Sequence, residues 1–215
     1  MTRLHIFDMD GTLLRGTTAS LEISRGLGCL AELLELEARF AAGALDTRGF
    51  AAELHCVWAD LTPTVVAAAF DAAPWIGGLA EVLADIRARG EHSMVITMSP
   101  DFFAGRLGAL GVDRIVASRF PPLPFRIAPD PEHILTPAHK VIAAEKACAE
   151  LGLGRERCIA YGDSDSDIPL FRHLRRTVAV NATAKLRELA LLHYDGDDLR
   201  EPYRAVRRAD DTESP

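Results

Sequence analysis

The chain has 215 residues, 48% of them hydrophobic and 26% charged, with a formal net charge of −7. This is the make-up of an ordinary globular protein, long enough for one large domain or one domain carrying an insertion. The acidic balance, with no basic run beyond pairs such as Arg175-Arg176 and Arg207-Arg208, argues against nucleic acid or an anionic membrane as the main partner.

No apolar stretch approaches the roughly 20 residues needed to span a bilayer. The first strand starts by about residue 3, which leaves no room for a leader peptide. Cys29, Cys56, Cys148 and Cys158 are scattered without CxxC spacing and read as reduced, buried thiols. A cytoplasmic location is expected.

In chain order, the apolar run at 4–7 reads as a buried strand that stops on two acids, in "LHIFDMDGTLL". Residues 15–74 follow a helical pattern throughout, including "CLAELLELEARFAAGAL", and are expected to form a cap inserted after that strand, with "APWIGG" as the return hinge. Helical spacing then covers 78–89, 100–110, 137–151, 165–174 and 183–192. Strands are expected at 92–97, 114–117, 158–161 and 177–180. Capping hydroxyls precede a first-turn proline at Thr62-Pro63, Ser99-Pro100 and Thr136-Pro137. The proline-rich stretch 119–133 reads as an irregular connection or loose hairpin, and the polar tail 205–215 as disordered.

Strands alternating with helices predict an α/β fold, a Rossmann-like, doubly wound parallel sheet, made by 1–14 and 75–204 with the cap at 15–74. In such sheets ligands collect at the carboxyl ends of the strands. Polar residues gather there: Asp8, Asp10 and Gly11 after the first strand, Thr97 and Met98 after the second, and Asp163, Ser164 and Asp167 in "YGDSDSDIPLF". Lys140 lies early in the helix "PAHKVIAAEKACAELG". Carboxylates at the mouth of a buried strand are costly to desolvate unless a cation or a proton transfer needs them.

"DMDGT", Thr97, Lys140 and "GDSDSD", in this order on these elements, resemble the four motifs of the haloacid dehalogenase superfamily over about residues 4–192. The helical insertion after the first motif resembles the cap of its phosphoserine-phosphatase-like branch. The resemblance implies a Mg²⁺-dependent phosphatase that hydrolyses a small phosphorylated metabolite through an aspartyl-phosphate.

It implies Asp8 as nucleophile and metal ligand, and Asp10 as general acid and base with a backbone carbonyl on the metal. Asp163 is then the second metal carboxylate, with Asp167 and Ser164 behind it. Thr97, Met98, Gly11 and Lys140 are expected around the phosphate. The chemistry agrees: a carboxylate can split hydrolysis into two displacements, and a hard cation must separate two anions. An acid at Asp10 suits an alcohol that needs a proton more than a halide that does not. A phosphotransferase or mutase would use the same residues, and a non-catalytic phosphometabolite-binding module is the third reading.

In the cap, the glutamate and arginine that meet phosphoserine in that branch fall at Thr17 and near His55 in an ungapped count. Arg15, Thr17, Thr18, Glu22, His55 and Trp58 are therefore the expected substrate contacts, and they suit a polyol or other neutral phosphate. His5, His92 and His173 read as packing or surface residues.

Overall fold

The computed structural model describes residues 2–213. In chain order they form β1 (Leu4–Phe7), α1 (Ala19–Leu27), α2 (Leu30–Ala41), α3 (Thr47–Val57), α4 (Pro63–Ala72), α5 (Leu79–Ala88) and β2 (His92–Pro100). Next come α6 (Asp101–Ala104), α7 (Leu107–Leu110), β3 (Arg114–Ser118), α8 (Pro137–Leu151), β4 (Cys158–Gly162) and α9 (Ile168–His173). The chain ends with β5 (Arg176–Val180), α10 (Ala184–Arg187), β6 (Leu192–Tyr194) and α11 (Arg200–Glu213).

The six strands form one sheet in the order β3-β2-β1-β4-β5-β6, and every pairing is parallel. This is the doubly wound α/β order, in which the strand sequence reverses beside β1. Leu4 pairs with both His92 and Cys158, so β1 is central, and all four of its residues are buried. Alternation along the strand sorts its side chains. Leu4 and Ile6 join Ala144, Ala147 and Phe171 on the face covered by α8 and α9. Phe7 joins Tyr161, Ile86 and Val206 on the face covered by α5 and α11.

Helices α1–α4 form the segment between β1 and α5. Its two connections run side by side: Arg15 N–H donates to the Pro74 carbonyl at 3.0 Å and Ile76 N–H to the Leu13 carbonyl at 2.8 Å. Local signals set the helix ends. Thr18 and Thr62 accept from Leu21 N–H and Val65 N–H at the starts of α1 and α4, and Asp46 accepts from Gly49 N–H at α3. Gly28 closes α1 in the left-handed region at φ 81°.

Three expectations change. Residues 183–192 are not one helix: α10 is a single turn and β6 begins at Leu192, pairing with β5 alone. The segment 100–110 is not one helix: β2 runs on to Pro100, and the rest divides at Gly105 and Arg106 into the single turns α6 and α7. Ser99 therefore makes no cap. The tail, expected to be disordered over 205–215, continues α11 as far as Glu213, with Tyr203 and Val206 buried against the sheet and Arg207 paired with Glu91; residues 214–215 lie outside the described residues.

The loop 119–133 is closed at its neck by Arg119 N–H on the His133 carbonyl, at 3.0 Å. Phe125 on this loop lies 4.7 Å from the His55 ring of α3, so it bridges core and cap.

Candidate active site

β1 and β4 end side by side, with Asp8 N–H donating to the Tyr161 carbonyl at 2.9 Å. The carboxylates that follow each strand therefore converge. Gly11 turns the chain at φ +76°, and a Cβ there would lie 2.2 Å from Asp163 Oδ2. A Cβ on Gly162 would lie 2.4 Å from Asp167 Cγ. These two glycines let the acids of the two strand ends approach one another.

Lys140 reaches in from the first turn of α8. Its ammonium lies 2.8 Å from Asp8 Oδ1 and 2.6 Å from Asp167 Oδ1, and donates to Ser166 Oγ at 3.2 Å. Burial lowers the Lys140 ammonium's affinity for its proton, but the charges of Asp8 and Asp167 more than offset this and hold it charged. Asp167 Oδ2 accepts Asp163 N–H at 3.1 Å and Ser164 N–H at 3.4 Å, which fixes the turn after β4. Thr12 Oγ1 donates to Asp163 Oδ1 at 3.5 Å.

Asp10 is held separately. Its Oδ1 accepts Ala19 N–H, at the start of α1, at 2.6 Å; its Oδ2 accepts Thr97 Oγ1 at 3.0 Å and Ser99 Oγ at 2.7 Å. Burial raises the Asp10 carboxyl above its ordinary value, and these donors oppose the rise. A raised carboxyl with fixed orientation suits proton exchange.

One oxygen from each of Asp8, Asp163 and Asp167 lies within 4.8 Å of the others. Burial, then repulsion from Asp167, pushes Asp163 up to about 7. Burial and the charge of Asp167 raise Asp8, which Lys140 only partly offsets. Two buried carboxylates and a half-buried one beside a single ammonium are short of positive charge, and an all-oxygen donor set fits a hard divalent cation. Asp10 does not contribute its carboxylate to this group.

Asp8, Asp10, Lys140 and Asp163 line a cavity of about 760 Å³ that runs from the strand ends to the cap, and Asp167 lies behind them. Of the expected phosphate contacts, Gly11, Met98 and Lys140 line it. Thr97 does not: it is fully buried, turned onto Asp10, and accepts Ser99 N–H at 3.0 Å. The extension of β2 past Thr97 causes this and brings Ser99 to the cavity wall in its place. The sequence signal for Ser99, a hydroxyl before proline, is the one that also marks a helix cap. Ser166, a further polar residue on the wall, lies inside the "GDSDSD" motif.

The cap contacts divide. Thr17 and Thr18 line the cavity. Arg15 is exposed and pairs with Asp197 at 2.9 Å, outside it. Glu22 accepts from Thr17 Oγ1 at 2.6 Å and from Arg25, and Trp58 is fully buried with its Nε1 donating to Ser24 Oγ at 2.8 Å. His55 packs on Phe125. None of these four is on the lining: Arg15 sits on the turn before α1, Glu22 and Trp58 are held within the cap, and His55 is taken up by Phe125 of the 119–133 loop.

The family model for haloacid dehalogenase-like hydrolases matches residues 6–172. The chain belongs to that family, and is an enzyme of the hydrolase type. Phosphoserine phosphatase of Methanocaldococcus jannaschii is 26% identical over 201 residues, spanning 93% of this chain and 95% of that protein. A phospho-aspartyl intermediate analogue of phosphoserine phosphatase superposes with a TM-score of 0.79 at 24% identity, covering 95% of this chain and 98% of that one. A substrate-bound phosphoserine phosphatase complex gives 0.80 at 23% identity with the same coverage. These likenesses establish the shared fold, sheet and helical insertion together.

Proposed function

We propose that this family member is a Mg²⁺-dependent phosphatase that hydrolyses a small-molecule phosphomonoester through an aspartyl-phosphate on Asp8. The observation that carries the reading is the division of labour between two acids one residue apart. Asp8 faces a lysine and two further carboxylates, whereas Asp10 is held by three neutral donors with its proton affinity raised. The first arrangement suits an in-line nucleophile and the second a proton carrier.

Asp8 Oδ attacks phosphorus and the P–O bond to the alcohol breaks, with Asp10 giving its proton to the leaving oxygen. Asp10, now ionised, takes a proton from water as that water attacks the phosphoryl group, releasing phosphate and restoring both acids. Lys140 neutralises charge on Asp8 and on the equatorial oxygens, and Gly11, Met98 and Ser99 bound the space for the phosphoryl group. Bound Mg²⁺, held by Asp8, Asp163 and the Asp10 carbonyl, would supply the charge neutralisation that lets a carboxylate approach a phosphate dianion. Asp167 keeps Lys140 and the loop after β4 in place, with Thr97 and Ser99 orienting Asp10.

The test is phosphate release from a panel of alcohol, sugar and amino-acid phosphates, with and without Mg²⁺, for the wild type and Asp8→Asn. Turnover that requires Mg²⁺ and falls by about 10⁴-fold or more in the variant is the expected result. Equal turnover in the variant, or equal turnover in chelator, contradicts it.

A further inference from the structure

The far half of the same cavity has a different chemistry, and it bears on the substrate. About 760 Å³ lies within the range of roughly 300–1,000 Å³ in which pockets bury drug-sized ligands. Beyond the strand ends its wall is made by Leu21 of α1, Phe40 of α2, Phe50, Ala51 and Leu54 of α3, and Phe120 of the 119–133 loop. The Phe40 and Phe50 rings sit 5.1 Å apart at 56°.

The polar groups on this wall are the hydroxyls of Thr17, Thr18, Ser20 and Thr47 and the carboxyl of Glu37, and they are partly engaged. Thr17 Oγ1 donates to Glu22, and Thr18 Oγ1 accepts from Leu21 N–H. Glu37 is half-buried on the wall, with no hydrogen-bond or ion-pair partner among the described residues. Among the described lining residues Lys140 is the one lysine or arginine, and it is engaged by Asp8 and Asp167. Arg15 and Arg25 are turned away to Asp197 and Glu22, and Arg39 and Arg48, next to Phe40 and Thr47 in sequence, pair with Glu53 and Glu132 off the wall. A carboxylate on a substrate would meet no cation here and would face Glu37, an uncompensated like charge in a partly desolvated place. A polyol would leave hydroxyls against leucine and phenylalanine.

We infer that the leaving alcohol is a bulky apolar group without a carboxylate, held between Leu21, Phe40, Phe50 and Leu54. The inference rests on the phosphatase reading and narrows its substrate class. The expectation of a polyol, sugar or other small neutral phosphate drawn from Thr17, Thr18, Arg15, His55 and Trp58 is replaced by this one, since Arg15, His55 and Trp58 are off the wall. The proposed determinants are α2 and α3 side chains, spaced so that Phe50 and Leu54 share one helical face.

The test compares kcat/KM for phenethyl phosphate, ethyl phosphate and O-phosphoserine with Mg²⁺ present. Calorimetric titration of the phosphonate analogues of the first two reads the same preference without turnover. Phenethyl phosphate is expected to exceed ethyl phosphate by about tenfold or more, since even one methylene in a fitting pocket is worth about 10–200-fold. O-Phosphoserine is expected below ethyl phosphate. The combined Phe40→Ala and Phe50→Ala variant is expected to bring the phenethyl-to-ethyl ratio toward one.

Asp8-dependent turnover with a ratio near one, or with O-phosphoserine preferred, overturns this inference and leaves the phosphatase reading standing. No turnover of any ester, with a tenfold phosphonate preference intact, overturns the phosphatase reading and supports the apolar wall. Loss of both overturns both.

Discussion

At the floor of the cavity, Asp8, Asp10, Asp163, Asp167 and Lys140 are tied to one another and to backbone N–H groups. At its roof, α1, α2 and α3 present mainly leucine and phenylalanine, with the hydroxyls of Ser20 and Thr47 and one carboxylate, Glu37, that has no partner among the described residues. The floor is rigid because every polar atom there is costly to bury without a partner, so the geometry is over-determined. The roof is under-determined: apolar contact tolerates many side chains of similar size, and its specificity resides in what it lacks. The floor therefore sets the reaction and the roof the substrate. Changes at the floor should alter rate and stability for every substrate, while changes at the roof should reorder substrates.

The largest effect expected at the floor, after loss of Asp8 itself, is that of Asp10→Asn. Its kcat should fall by about 10²–10⁴-fold on an alkyl phosphate, the usual worth of a positioned acid–base group. On an ester whose leaving group needs no proton, such as p-nitrophenyl phosphate, the first displacement should suffer much less. Pre-steady-state kinetics would then show a burst of nitrophenol followed by slow breakdown. An equal loss in the burst phase on both esters would deny Asp10 the role of acid.

Next in size is Lys140→Met. Removing the partner of Asp8 and Asp167 leaves buried charge uncompensated, which costs about 3–5 kcal/mol and is read as a fall in denaturant midpoint. Mg²⁺ should raise the melting temperature of the wild type, because a ligand of the folded state stabilises it by mass action. Asp163→Asn should abolish that rise.

The smallest effect comes from a control at the other end of β1, where a buried polar cluster lies off the lining of the catalytic cavity. His5 lies between Tyr161 Oη, 3.1 Å from its Nδ1, and Glu91 Oε2, 3.0 Å from its Nε2, and burial keeps its imidazole neutral. Burial raises the Glu91 carboxyl, but hydrogen bonds from His5 and Arg207 bring it down to about 2. A carboxyl depressed on folding contributes stability that is complete above its unfolded value of 4.5 and is lost as pH falls toward 2. Glu91→Gln should cost on the order of 2 kcal/mol at neutral pH and flatten the loss of stability between pH 4.5 and 2. Substrate ranking should not move. A changed ranking would break the separation of floor from roof.

The floor was legible in the sequence for the same reason that it is rigid. Acids in "DMDGT" and "GDSDSD" at the ends of apolar runs have few physical excuses, and their spacing survives any small error in element boundaries. Five of the six strands were legible as well. β6 was not, because three residues pairing with one neighbour leave no alternation to read and follow a helical pattern without a break. α11 was hidden by its polar composition, although Tyr203 and Val206 anchor it and Arg207 reaches Glu91.

In the cap, sequence proximity misled. Glu22, His55 and Trp58 are near the right places in the chain, but helix rotation decides which side chains enter the cavity, and Arg15 lies on a turn that carries it to Asp197. A rotation of 100° per residue is beyond what a motif count can fix. Ser99 was misread because a hydroxyl before proline has two uses, and the length of β2 chooses between them.

The account turns on a phosphoryl group passing through Asp8. The direct measurement is borohydride reduction of the enzyme during turnover with Mg²⁺ and phenethyl phosphate, followed by mass spectrometry of the peptide that contains Asp8 and Asp10. Homoserine at position 8, formed only when substrate is present and absent in Asp8→Asn, is the predicted result. Turnover with Asp8 unmodified and the mark on another residue, or on none, would contradict it.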